Sequence, residues 1–218
     1  MTRLMNLIHE VDPYAGFDPG PYPSDFQGWA SDDPLFRILF EKLRPRRVAE
    51  VGTWKGASAL YMAHLAREFA IDCEIVCIDT WLGSVEHWYN RDRADYFKSL
   101  KLQHGYPTLY NTFLANVVRT NMTDTIVPFP IASAGAARLL RAHGVTFDLI
   151  YIDAAHDYEE VRLDVELFWP LVRAGGVLFG DDYTPQFSGL RRAVEEFAAG
   201  RNLRLQTNPN SPKWLIQR

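Results

Sequence analysis

Four residues in the second half of the chain have the types and spacing to act on an oxygen. Asp153 and His156 close the stretch FDLIYIDAAHDY, and Asp181 and Asp182 close GGVLFGDDY at 175–183. Each stretch is an apolar run that ends in carboxylates. Side chains alternate across a strand with period two, so adjacent aspartates share one target only where the extended backbone turns. Strands four and five of a parallel sheet commonly neighbour each other, which brings Asp153 close to Asp181 and Asp182. Carboxylates this close repel by about 4 kcal/mol per pair at an effective dielectric of about 20. A positive charge is required. A hard cation with oxygen ligands meets the need: Mg2+ would take Asp153, Asp181 and Asp182, with water and substrate hydroxyls completing its octahedron. The ordinary alternative has one aspartate capping a helix or pairing with arginine while another is solvated.

A second group of residues suits a nucleotide. In VAEVGTWKGAS, Glu50 ends a strand, and Gly52 and Gly56 permit close backbone approach in a G-x-x-x-G turn, which is not the G-x-G-x-x-G dinucleotide fingerprint. CIDTW ends the next strand with Asp79, placed to accept both hydroxyls of a ribose or to cap a loop. In IASAGAARLL, Ser133 and Ala134 open a helix; Ser133 can cap it, and the small residues leave room for a flat adenine.

These residues need a scaffold that gathers strand ends, and the pattern supplies one. The apolar runs RVAEVG, EIVCIDT, TIVPFPI, FDLIYID and GGVLFGD are continuous rather than alternating, as in strands covered on both faces. Helical stretches separate them: GASALYMAHLAREFA, AGAARLLRAHG and YEEVRLDVELFWPLVRAG. DPLFRILFEKL precedes the first strand, with Asp33 as cap and Pro34 in the first turn. GLRRAVEEFAAG adds a helix, and LRLQT and KWLIQR, joined by NPNSP, form a closing hairpin. The expectation is an α/β, Rossmann-like, doubly wound and mostly parallel seven-stranded sheet with a C-terminal antiparallel hairpin. Such sheets bind ligands beyond the carboxyl ends of their strands, where the strand order reverses.

The 218 residues, 47% of them hydrophobic, suffice for one domain spanning 1–218. Residues 1–33, rich in Pro, Gly and aromatics with little periodicity, read as an ordered arm. Residues 81–118, crowded with aromatics, read as an insertion whose rings form its own core, or a lid over a substrate pocket. A formal charge of −4 gives no basic field for nucleic acid or anionic membranes. No apolar run is long enough to span a bilayer or resembles a signal peptide, which points to the cytoplasm. Cys73 and Cys77 read as reduced core thiols.

VAEVGTWKGAS, CIDTW and FDLIYIDAAHDYEEVRLDVELFWPLVRAGGVLFGDDY together resemble class I S-adenosylmethionine-dependent methyltransferases. The IDAAH and GDD pair is similar to the cation-dependent O-methyltransferases, among them catechol and macrolide-sugar O-methyltransferases. The resemblance runs from about Arg46 to the C-terminus. It implies that Glu50, Gly52 and the following turn through Thr53, Trp54, Gly56 and Ser58 hold the methionine part of the cofactor. It places Asp79, with Thr80 and Trp81, at the ribose, Ser133 and Ala134 near the adenine, and Asp153 beside both cofactor and metal. His156 stands where the catechol enzyme has a catalytic lysine. The implied chemistry is deprotonation of a Mg2+-bound hydroxyl, with His156 as base at an unperturbed pKa of about 6.5, followed by in-line attack on the sulfonium methyl. His156 alternatively holds Asp153 or caps the next helix.

The expected function is therefore Mg2+-dependent O-methylation of a small molecule or sugar-bearing acceptor by a homo-oligomer, with Asp153 and His156 as catalytic residues. A nicotinamide-dependent oxidoreductase would share Asp79 and the sheet, and a binding protein would share the fold alone.

Overall fold

The structure, a computed structural model, describes residues 2–93 and 96–218. The apolar runs become β1 (Arg47–Val51), β2 (Glu74–Asp79), β3 (Ile126–Pro130), β4 (Phe147–Ile152) and β5 (Val172–Gly180). The closing hairpin is β6 (Leu205–Asn208) and β7 (Ser211–Gln217). They form one seven-stranded sheet in the order β3-β2-β1-β4-β5-β7-β6, parallel from β3 through β5 and antiparallel where β7 joins β5 and β6. The order reverses between β1 and β4. Every residue of β1 after Arg47 is buried, as the unbroken apolar pattern requires.

The helices are α1 (Arg3–Ile8), α2 (Pro34–Leu43), α3 (Ala57–Glu68), α4 (Val85–Tyr89), α5 (Leu109–Arg119), α6 (Ser133–Ala142), α7 (Tyr158–Phe168) and α8 (Ser188–Gly200). The Asp33 carboxylate accepts the Leu35 amide and Pro34 occupies the first turn of α2, the start its sequence predicts. From α2, the Phe36 ring meets Tyr151 and Phe179 edge-on, with centroids 5.0 and 5.4 Å away, while those two stack at 4.7 Å. This aromatic cluster lies directly beneath the acidic strand ends.

Two local details add to the sequence reading. The arm, read as ordered, gains a short helix: α1 buries Leu4 and Met5, and the Leu4 amide donates to Glu74 Oε1 at 2.7 Å. Six residues are too few to show a helical period. The predicted helix YEEVRLDVELFWPLVRAG ends at Phe168, passes through a 3-10 turn at Trp169–Leu171, and enters β5 at Val172. Pro170 lacks the amide needed to continue the helix, and Val172 pairs with Phe147.

In the insertion the aromatics divide. Trp81 and Phe113 are buried and 4.8 Å apart, whereas Trp88, Tyr89 and Tyr106 face outward. Cys73 and Cys77 are buried and unlinked, and burial pushes both thiols up. No helix among the described residues is long and apolar enough to cross a membrane.

Candidate active site

The site begins where β1 and β4 diverge. The Gly52 amide donates to Ile78 O and the Asp153 amide to Val51 O, at 2.9 and 2.8 Å, so three strand ends are stitched together. Gly52 has φ +85°, and a Cβ there would lie 2.0 Å from Asp153 O. Only glycine lets the strands approach this closely. The turn continues through Trp54 at φ 53° to Gly56 at φ 86°, which starts α3 against the Phe113 ring.

Glu50 is wholly buried on this turn. It accepts the Ser58 hydroxyl, faces the Cys77 thiol at 3.8 Å, and is pushed up to about 8 by burial, against the lowering effect of Ser58. Asp79 acts as a staple. Its Oδ2 accepts the Thr53 and Trp54 amides at 3.0 and 2.8 Å, and its Oδ1 accepts the Trp81 amide at 2.7 Å. Burial raises its pKa while these amides oppose the rise. Trp81 stands behind the turn, its indole N–H donating to Trp54 O at 2.7 Å, and exposed Thr80 turns its hydroxyl to the Leu82 amide.

Ser133 and Ala134 lie half-buried in the first turn of α6. The cap position belongs to Ala132, whose backbone is extended, so Ser133 is already helical and is not the cap. Its hydroxyl instead supports buried Asp164 of α7, whose carboxyl burial pushes up to about 6.

At the acidic end, Tyr151 OH donates toward Asp153 Oδ2 at 2.9 Å and lies 3.2 Å from Asp181 Oδ2. Lys213 of β7 reaches the same place, its ammonium paired with Asp181 Oδ2 and 2.8 Å from Tyr151 OH. Asp182 has φ 61°, so the backbone turns between the two aspartates, yet they part company. The Asp182 Oδ2 meets His156 Nε2 at 3.0 Å, and His156 Nδ1 meets Glu86 Oε1 of α4 at 3.4 Å. The imidazole stacks on Phe187 with centroids 4.2 Å apart. Burial alone would lower the His156 pKa, but Asp182 and Glu86 outweigh it and raise it to about 9. Asp153 is pushed up to about 7, first by burial and then by Asp181, with Lys213 opposing.

The carboxylate oxygens here are the donor type that suits a hard cation. Asp181 is already engaged on both oxygens, by Lys213 on Oδ2 and by the Asp182 amide on Oδ1 at 2.8 Å. Asp153 and Asp182 each keep one oxygen without a protein hydrogen bond among the described residues. No group of three or more His, Cys, Asp or Glu side chains among the described residues is arranged to hold a metal.

Sequence reasoning missed Lys213, Tyr151, Glu86 and Lys55. The buried Lys55 ammonium pairs with Asp25 at 2.9 Å and donates to Gln27 Oε1 at 3.0 Å and Ser99 Oγ at 3.3 Å. Lys101 reaches Asp25 at 3.1 Å, and the Trp54 indole donates to Gln27 at 2.9 Å. Arm, glycine turn and insertion thus meet on one lysine. The available signal was a lysine inside an otherwise apolar turn or strand, a residue type seldom buried without a partner.

Solved structures share this architecture. An O-methyltransferase from Bacillus cereus in complex with SAH superposes with a TM-score of 0.61 at 16% identity, covering 100% of this chain and 92% of that one. The calicheamicin methyltransferase CalS11 gives 0.60 at 18%, covering 84% and 77%. TomG of Streptomyces achromogenes, an O-methyltransferase of tomaymycin synthesis in complex with SAM, gives 0.59 at 16%, covering 88% and 81%. At these identities the likeness is one of fold. The uncharacterized protein y4gI of Sinorhizobium fredii is 24% identical over 166 residues, and the match spans 76% of this chain but 16% of that protein. The Methyltransferase domain family matches residues 49–183, a span that contains Glu50, Asp79, Asp153, Asp181 and Asp182. By that match, over more than half its length, the chain belongs to the Methyltransferase domain family.

Proposed function

We propose that the chain transfers a methyl group from S-adenosylmethionine to a hydroxyl of a small phenolic or sugar-bearing acceptor. The observation that carries this reading is the meeting, at one reversal of strand order, of a glycine turn with buried Glu50, the Asp79 staple, and the Asp153–His156 end. Glu50 and the 52–58 turn would hold the methionine part of the cofactor. Asp79 spends three acceptor positions on amides, and a carboxylate offers about four, so capacity remains for a ribose hydroxyl. Ser133 and Ala134 line the adenine side.

Asp153 and Asp182 would hold a Mg2+, which when bound lowers the pKa of an acceptor hydroxyl and orients it. His156 holds a proton between Asp182 Oδ2 and Glu86 Oε1 at neutral pH. It accepts another only after releasing the first, so with His156 as base the methylation rate rises with pH until the imidazole is neutral. A His156→Gln variant would flatten that limb.

The outward-facing Trp88 and Tyr89 follow Glu86 on α4, and aromatic faces of this kind suit a sugar or a phenol. The test is calorimetric titration with S-adenosylhomocysteine, followed by product mass measurement on hydroxylated acceptors with and without chelator. Saturable one-site binding in the micromolar range and methyl transfer to oxygen are the expected results. Failure of a well-folded sample to bind, or binding of NADH instead, would overturn the reading.

A further inference from the structure

We infer that Lys213 is the resident counter-ion of the acidic centre and a positioning residue for Asp153, so that Asp181 belongs to the chain's own ion pair and not to a metal's ligand set. The inference builds on the methyltransferase reading above, but its test has a separate readout.

Three observations converge. The Lys213 side chain is 1% exposed and that of Asp181 is 5% exposed, so neither charge has water to turn to. The ammonium faces the rings of Phe36 and Tyr151, 5.2 and 4.9 Å from their centroids, and its hydrogen-bond acceptors are Asp181 Oδ2 and Tyr151 OH. Breaking such a pair from one side leaves an uncompensated buried charge. Finally, the lysine is fixed at its base: its amide donates to Ser211 Oγ at 3.2 Å, and Ser211 donates to Asp33 Oδ2 at 2.7 Å, the cap of α2.

The ammonium also reaches Asp153 through a relay. Lys213 donates to the tyrosine oxygen and Tyr151 OH donates to Asp153 Oδ2, which leaves Oδ1 without a hydrogen bond among the described residues. The positive charge demanded by neighbouring carboxylates is therefore already present in the chain, delivered by β7. A divalent cation on Asp181 would have to sit beside that ammonium, and like charges at this range repel.

The experiment is Mn2+ titration followed by electron paramagnetic resonance, which distinguishes free from bound metal and needs no turnover. Wild-type protein is expected to bind Mn2+ only in the millimolar range. Lys213→Gln, which removes the like charge beside Asp181, should bind it about tenfold or more tightly. The double variant Asp181→Asn with Lys213→Gln removes the pair together and should match wild type, which keeps the test open if the single variant does not fold. A micromolar Mn2+ site in wild type, an unchanged affinity in Lys213→Gln, or a tenfold loss in the double variant would each overturn the inference. Titration with S-adenosylhomocysteine in parallel separates the two readings: loss of cofactor binding in wild type defeats the methyltransferase proposal and leaves the Mn2+ result standing.

Discussion

The two halves of the carboxyl edge handle buried acid in opposite ways. On the β1–β2 side, Asp79 is held by three backbone amides and Glu50 by the hydroxyl of Ser58, eight residues along the chain. On the β4–β5 side, Asp181 and Asp182 are held by the side chains of Lys213 and His156, which lie 32 and 26 residues from them. Backbone donors come with the turn and cannot be substituted away. Side-chain cations set charge more strongly, but each hangs on a single residue. The first half is thus built as a fixed cradle, and the second as an adjustable charge array.

The sharpest way to break both halves at once is Gly52→Ala, because the new methyl would collide with the Asp153 carbonyl at a backbone angle hostile to alanine. A loss of about 3 kcal/mol or more is expected in urea unfolding. Glu50→Gln should act through pH. The Glu50 carboxyl sits near 8 in the fold against an ordinary 4.5, so its stability contribution is full below about pH 4.5 and is lost as pH rises toward about 8. Glutamine cannot ionise, so the variant should gain on wild type across that window by at most about 1.4 kcal/mol per pH unit. A gap that shrinks with rising pH would show that Glu50 is charged in the fold.

Asp79→Ala strands the Thr53, Trp54 and Trp81 amides and should cost about 2 kcal/mol, with a parallel fall in S-adenosylhomocysteine affinity. The smallest effect belongs to His156→Gln at pH 7. Its pairs with Asp182 and Glu86 are part-exposed, and such pairs contribute about 1 kcal/mol or less. If the His156 variant were the more destabilised of these two, the contrast between cradle and array would be reversed.

The sheet, its closing hairpin and the carboxylates at its edge were legible because each rests on a local signal. Continuous apolar runs give covered strands, and an aspartate at the end of such a run lies at the carboxyl edge. The partners of those carboxylates were not legible. Lys213 lies in the closing hairpin, and nothing in KWLIQR says that its ammonium crosses to β5. Glu86 stands 70 residues before His156 in an insertion without a clear period. The same physics that demanded a cation among the aspartates was sound, and beside Asp181 the fold sets the ammonium of Lys213. Ser133 failed as a cap for a one-residue reason, since the extended backbone that a cap needs falls on Ala132.

The Lys55 clasp bears on where this chain can be cut or transplanted. The family match starts at residue 49, and a unit trimmed to that boundary would retain every carboxylate of the edge. It would lose Asp25 and Gln27, leaving an ammonium inside the protein without its acid and the Trp54 indole without its acceptor. A chimera that borrows residues 49–183 must therefore carry the preceding strap with it to keep Lys55 and Trp54 partnered.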